Sequence, residues 1–89
     1  MGYHGLTLAT TQATGIKRYW DMLDVHDGGF THVSAPYMYR DANGRSETEF
    51  VNDLMDELEA KIAAVGAENI AAMIAEPIMG TGGGIVPPD

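Results

Sequence analysis

Ser46 and Glu49 stand three residues apart at the head of the most regular stretch of the chain. A serine hydroxyl so placed takes the backbone N–H three residues on, and the glutamate reaches back to the serine N–H, the reciprocal arrangement that starts a helix. Behind them Phe50, Val51, Leu54, Met55, Leu58, Ile62 and Val65 recur at spacings of three and four, which predicts one apolar face on a helix from about 47 to 65. Glu47, Glu49 and Asp53 lie toward the positive end of the helix dipole, Lys61 toward the other, and Gly66 suits the left-handed residue that ends a helix. A short link then leads into the apolar run Ile70 to Ala75, stopped by Glu76-Pro77. Its length and flanking breakers read as a buried strand, although six apolar residues also suit a helical segment. A helix passing into an all-apolar strand is half of an α/β layered fold, and such a strand is expected in a sheet covered on both faces. One helix cannot cover both faces, so the layers that this unit needs are not all in these 89 residues.

The rest of the chain adds little to fill them. Residues 5–14 ("GLTLATTQAT") predict a short helical segment with Gly15 as its stop. Residues 15–29 carry aromatics and charges without a period and end in Gly28-Gly29, which reads as a loop. "FTHVSAP" (30–36) predicts a brief strand ending at Pro36, and "DANGR" (41–45) a turn. A chain of 89 residues is at most one small domain, burying only about 60–65% of its unfolded surface.

Thirteen acids against five bases give a net charge of −8. That argues against a nucleic-acid partner and against anionic membrane surfaces, both of which select basic patches. No apolar run is long enough to span a bilayer, no signal-peptide pattern opens the chain, and Leu6 stands where a myristoylation motif needs Ser or Thr. A cytoplasmic protein is expected. With no cysteine there is neither disulfide nor thiolate site, and His4, His26 and His32 have no metal-ligand spacing, so no metal is expected.

Three features remain that can carry chemistry. Glu76 ends the apolar run, and in open α/β sheets ligands sit beyond the carboxyl ends of strands; the plainer reading is a solvated acid. Gly80, Gly82, Gly83 and Gly84 let backbone come close to a ligand, but neither the dinucleotide nor the phosphate-loop pattern is present, so a flexible loop is the simpler reading. Tyr3-His4-Gly5 opens the first helical segment, where an anion or a flat ring is favoured, against the plainer reading of a loose tail.

Taken in order, "GYHGLTLATTQATG", "GGFTHVSAPYMYR", "SETEFVNDLMDELEAKI" and "IAAMIAEPIMGTGGGIVPP" resemble the class III aminotransferases, pyridoxal-phosphate enzymes of fold type I. The resemblance spans nearly all of this chain and a minor part of the family's length. It implies that residues 1–89 are a fragment of the large, cofactor-binding domain, a helix-strand unit of a mainly parallel sheet. It also implies a reaction that moves an amino group from an amine or ω-amino acid to a keto acid such as pyruvate, with pyridoxal 5'-phosphate as cofactor and a homodimeric parent.

The same resemblance implies the roles of single residues. Tyr3 matches the aromatic residue that stacks on the cofactor ring, and His4 its neighbour in the motif. Glu76 matches the strand-end glutamate that orients the acid partner of the ring. Thr81 stands where the ornithine-type branches carry a second glutamate, which favours the ω-amino acid or amine–pyruvate branch. The Schiff-base lysine and the aspartate for the ring nitrogen fall outside residues 1–89, so no catalytic residue is expected in this chain and it is expected to be inactive alone. Two rivals stand beside this reading: a small acidic α/β module that uses helix 47–65 as a protein-binding surface, and another fold type I enzyme such as a semialdehyde aminomutase.

Overall fold

The computed structural model describes residues 1–25 and 28–89; His26, considered above as a ligand, lies outside the described residues. Four α-helices follow in order among the described residues: α1 (Leu8–Ala13), α2 (Lys17–Met22), α3 (Met38–Asp41) and α4 (Glu47–Val65), with a 3-10 turn at Ala67–Asn69.

The dominant element, α4, forms where periodicity and cap predict it. Ser46 Oγ accepts the Glu49 N–H, and Glu49 Oε2 accepts the Ser46 N–H at 2.9 Å. The hydrogen bonds from the Ser46 N–H and hydroxyl hold the Glu49 carboxyl below the usual carboxylate range. At the other end Gly66 takes φ 86° and donates its N–H to the Ile62 carbonyl, a conformation that a side chain disfavours. Arg45 joins α3 to α4. Its Nε and Nη2 donate to the carbonyls of Ala42 (2.7 Å) and Asp41 (2.6 Å), its guanidinium lies 5.2 Å over the Phe50 ring, and it pairs with Asp53. Phe50, 3% exposed, and Ala42 are buried beneath it. The turn predicted at 41–45 is present, with Asn43 and Gly44 both at positive φ.

Two expectations need correction. Residues 15–29 are not all loop, because 17–22 form α2. Within that stretch the sequence shows no helical period; what holds the turn is the non-local packing of Tyr19 and Trp20 described below. Residues 30–36 and 70–75 enter no β-ladder, and the pairing seen among the described residues is an isolated antiparallel bridge between Met79 and Ile85. A strand exists only by pairing, and among the described residues no second strand lies beside either segment. The first docks on α4 instead, where the Ser34 N–H donates to the Glu57 carboxylate at 3.2 and 3.3 Å.

The unpaired apolar run leaves a measurable excess of surface. The chain exposes 6433 Å², against about 5,000 Å² for a compact monomer of its mass. Its radius of gyration is 13.9 Å, against about 12 Å expected for its length. The excess includes Met73, Ile74, Ile78 and Val86, all more than half exposed, and the far end of the α4 face, where Met55, Ile62 and Val65 stay open. Among the described residues no helix is long and apolar enough to cross a membrane.

The cap gives a pH signature. The Glu49 carboxyl has a lowered folded-state pKa, so its contribution is complete above the ordinary value of 4.5 and is lost as pH falls through the folded value. Far-UV circular dichroism of the full chain is expected to show α4 losing helix in that acid range. Ser46→Ala should weaken the helix by about 1 kcal/mol at neutral pH and reduce this acid step without abolishing it, because the backbone N–H of residue 46 still donates to Glu49. Glu49→Ala should remove it, and an acid step that survives Glu49→Ala would contradict the assignment.

Candidate functional site

The N-terminal segment is held by Thr14, 1% exposed and bonded at every polar group. Its hydroxyl accepts the His4 N–H at 3.0 Å and donates to the Thr10 carbonyl at 2.9 Å. Its own N–H donates to the same carbonyl, and its carbonyl accepts the Trp20 Nε1–H at 2.7 Å. One residue on, the Gly15 N–H donates to the Gly2 carbonyl at 2.9 Å. Residues 2–4 are therefore strapped to the end of α1, whose start is set by a reciprocal Thr7–Thr10 cap. α1 begins three residues later than the predicted 5–14 segment because that cap fixes its first turn, and it ends at Ala13 as expected before Gly15.

This strap places the two motif residues. The Tyr3 ring, 38% exposed, meets the Tyr19 ring of α2 at 5.5 Å between centroids and 51° between planes, and the Arg18 guanidinium covers the Tyr19 ring at 5.3 Å. Trp20 packs on His32 at 5.2 Å, and His32 Nε2 lies 3.1 Å from the Ala13 carbonyl oxygen. The short helix α2 thus supports the back of Tyr3 and brings in the 30–36 segment.

Glu76 arrives from the far end of the chain. Its Oε2 accepts the Gly80 N–H at 3.3 Å, inside a loop closed by the paired Met79 and Ile85 backbones at 3.0 Å. Its Oε1 and the His4 Nε2 converge on Gly2, where a Cβ would lie 2.5 Å from the one and 2.8 Å from the other. The Met1 carbonyl oxygen, in turn, comes within 3.0 Å of a Cβ placed on Gly82. So the structure brings His4 and Glu76 to Gly2, near the glycine loop, while the Tyr3 ring turns to Tyr19, and Thr81 stays exposed on that loop. It also shows three residues that the sequence reading missed. Thr14 is signalled only by its spacing of four from Thr10, which suits a hydroxyl bonding back to a carbonyl; Gly2 and Tyr19 carry no local signal.

The chemistry available here is an aromatic face, a carboxylate and an imidazole. No lysine joins them: Lys17 opens α2 and Lys61 is exposed on α4. A separate concavity of about 170 Å³, lined by Ser34, Arg45, Phe50, Asp53 and Glu57 among others, shares none of these residues. It falls short of the roughly 300 Å³ at which small-molecule sites begin, and its lining is largely the α3–α4 joint.

No protein-family model matches the chain. It is 46% identical over 88 residues to the putrescine–pyruvate aminotransferase of Pseudomonas aeruginosa, covering 99% of this chain and 19% of that protein. It is 40% identical over 91 residues to the diaminobutyrate–2-oxoglutarate transaminase of Halomonas elongata, again 19% of that protein. Among solved structures, an (S)-enantioselective ω-transaminase of Thermomicrobium roseum superposes with a TM-score of 0.91 at 45% identity, covering 99% of this chain and 20% of that one. The ω-transaminase of Pseudomonas jessenii, solved in complex with PMP, gives 0.90 at 50% identity, covering 98% and 19%. The chain thus spans about a fifth of the length of these relatives.

Thr14→Val removes the acceptor of the His4 N–H while keeping shape. It is expected to destabilise the full chain by about 1–3 kcal/mol, read by urea unfolding, and to speed hydrogen exchange at the His4 amide. Thr14→Ser should restore both. Equal protection of His4 in the valine variant would show that the strap does not depend on this hydroxyl.

Proposed function

The chain is homologous over nearly its whole length to one segment of the aminotransferases, and on that premise we propose that it forms the ring-binding edge of a pyridoxal-phosphate-dependent, class III transaminase. The reaction in this reading moves an amino group from an amine or ω-amino acid to a keto acid such as pyruvate. The observation that carries it is the approach of Glu76 and His4 to Gly2 beside a glycine loop, with the partly open Tyr3 ring on the same N-terminal strap. The relative named for putrescine and pyruvate supports the choice of donor and acceptor, as does Thr81 in place of a second carboxylate.

The residues present fit the ring of this cofactor. Tyr3 offers a partly open aromatic face whose tilt is fixed by Tyr19, and a flat heteroaromatic ring stacks on such a face. Glu76 offers an anionic acceptor, anchored by the Gly80 N–H, suited to orienting the acid that pairs with the ring nitrogen. His4 lies against the same point and shapes the site beside the carboxylate. When bound, pyridoxal phosphate supplies the electron sink that transamination requires. The amine-bearing lysine, the acid for the ring nitrogen and the phosphate cradle belong, in this proposal, to the remaining four fifths of an enzyme as long as the relatives.

The same proposal accounts for the exposed apolar run. Residues 70–76 become a strand of a mainly parallel sheet when neighbouring strands are supplied, and that sheet covers Met73, Ile74 and the open end of α4. The excess surface supports this, since it is of the order buried in a stable interface. Homodimeric assembly and a cytoplasmic location complete the proposal, on resemblance.

An enzyme of the relatives' length that carries this segment is expected to form alanine from pyruvate with an amine such as putrescine. Tyr3→Ala in it should weaken pyridoxal phosphate binding about three- to tenfold, from a ring contact worth roughly 0.5–1.5 kcal/mol. The 89 residues alone should give no alanine, and borohydride reduction with pyridoxal phosphate should mark neither Lys17 nor Lys61 selectively. Turnover by the short chain with one marked lysine would overturn the division of the site proposed here. Absence of alanine from the longer enzyme with every amine tried would overturn the reaction.

A further inference from the structure

We propose that Gly2 is a positioning residue, whose lack of a side chain lets the Glu76 carboxylate and the His4 imidazole close on one point. The inference deepens the proposed function and rests on it for the meaning of that pair, while its geometry stands alone.

The glycines of the chain divide by cause. Gly5, Gly29, Gly44, Gly66, Gly83 and Gly84 have positive φ, where side chains are strained whatever the space. Gly15 and Gly82 have Met1 backbone atoms against the Cβ position, Gly28 meets Gln12 at an ordinary 3.7 Å, and Gly80 has open space. Gly2 belongs to none of these groups. Its φ is not in the positive region, so an alanine backbone fits. The atoms in the way are Glu76 Oε1 at 2.5 Å and the His4 ring, with Nε2 at 2.8 Å and Cε1 at 3.2 Å. All are outer atoms of rotatable side chains. A methyl group at position 2 therefore leaves the backbone alone and displaces the two side chains that border that point. The fold tolerates the change and the pair does not.

The Gly2 carbonyl is held by the Gly15 N–H and the His4 N–H by Thr14, so residue 2 cannot swing away to absorb the methyl group. The Gly80 N–H ties Glu76 Oε2, so the carboxylate yields only by giving up that bond as well.

The test uses the full chain with isotope-labelled histidine. In the parent, Glu76→Gln should shift the His4 ring resonances. In Gly2→Ala, the far-UV spectrum and melting curve should match the parent, while the His4 response to Glu76→Gln is lost, a coupling read as in a double-mutant cycle. Three results overturn the proposal: no His4 response in the parent, an undiminished response in Gly2→Ala, or a Gly2→Ala chain that fails to fold, since the clash would then fall on backbone. Pyridoxal phosphate titrated into the longer enzyme, with and without Gly2→Ala, reports separately on the cofactor reading. If the coupling behaves as expected but the longer enzyme binds the cofactor equally well with and without Gly2→Ala, Gly2 positions the pair and the role assigned to the pair fails.

Discussion

A single hydroxyl holds the candidate site together. Thr14 Oγ1 accepts from the His4 N–H and donates to the Thr10 carbonyl, while its own carbonyl takes the Trp20 indole. Three pieces that are separate in sequence, the Tyr-His-Gly segment, α1 and α2, share that residue. A buried hydroxyl with no partner costs about 1–3 kcal/mol, and here each donor and acceptor is answered, so the arrangement is stiff as well as stable. Through Trp20 the link extends to His32 and the 30–36 segment, and through Tyr19 to the ring of Tyr3. In this way a short, poorly periodic helix becomes part of the site's support.

The contrast with the second half is physical. α4 is self-sufficient in its hydrogen bonds and capped at both ends, but of its apolar face only Phe50 is buried, with Val51, Leu54 and Leu58 half-covered. The run after it satisfies neither its backbone in a ladder nor its side chains in a core. Burial of a Leu- or Ile-sized side chain is worth about 1.5–3 kcal/mol, so Met73, Ile74 and Ile78 together represent a driving force for association comparable with the net stability of a small domain. A surface of this kind favours association with further apolar structure.

What the sequence made legible follows the range of the interactions. The α4 boundaries were readable because a capping box and a 3.6-residue period are local, and Gly66 marked the end for a local reason too. α2 was not readable, because Tyr19 and Trp20 earn their places through Tyr3 and Thr14 rather than through neighbours on one helix face. The strands expected at 30–36 and 70–75 rest on local residue pattern, length and flanking breakers, which report what a strand would contain, not whether a partner lies beside it. Glu76 is singled out by its position at the end of an apolar run, and Tyr3 and His4 by resemblance; the structure adds that Glu76 and His4 both border Gly2. Gly2 was not legible at all, since its constraint comes from a carboxylate at the opposite end of the chain.

That constraint also explains how the site edge keeps its geometry without a sheet. Pro77 cannot extend a ladder, and the chain turns instead into a loop that closes on itself through Met79 and Ile85, with Ile85 3% exposed. Gly83 and Gly84 both donate to the Gly80 carbonyl at 3.1 Å, using positive φ to make the turn. The closed loop presents the Gly80 N–H to Glu76, and its Gly82 lies under the Met1 carbonyl. Each link is short-range within the loop or passes through the first two residues. The carboxylate is therefore oriented by the loop and the N-terminal strap, and the apolar run before it, which enters no ladder, needs only to deliver the residue.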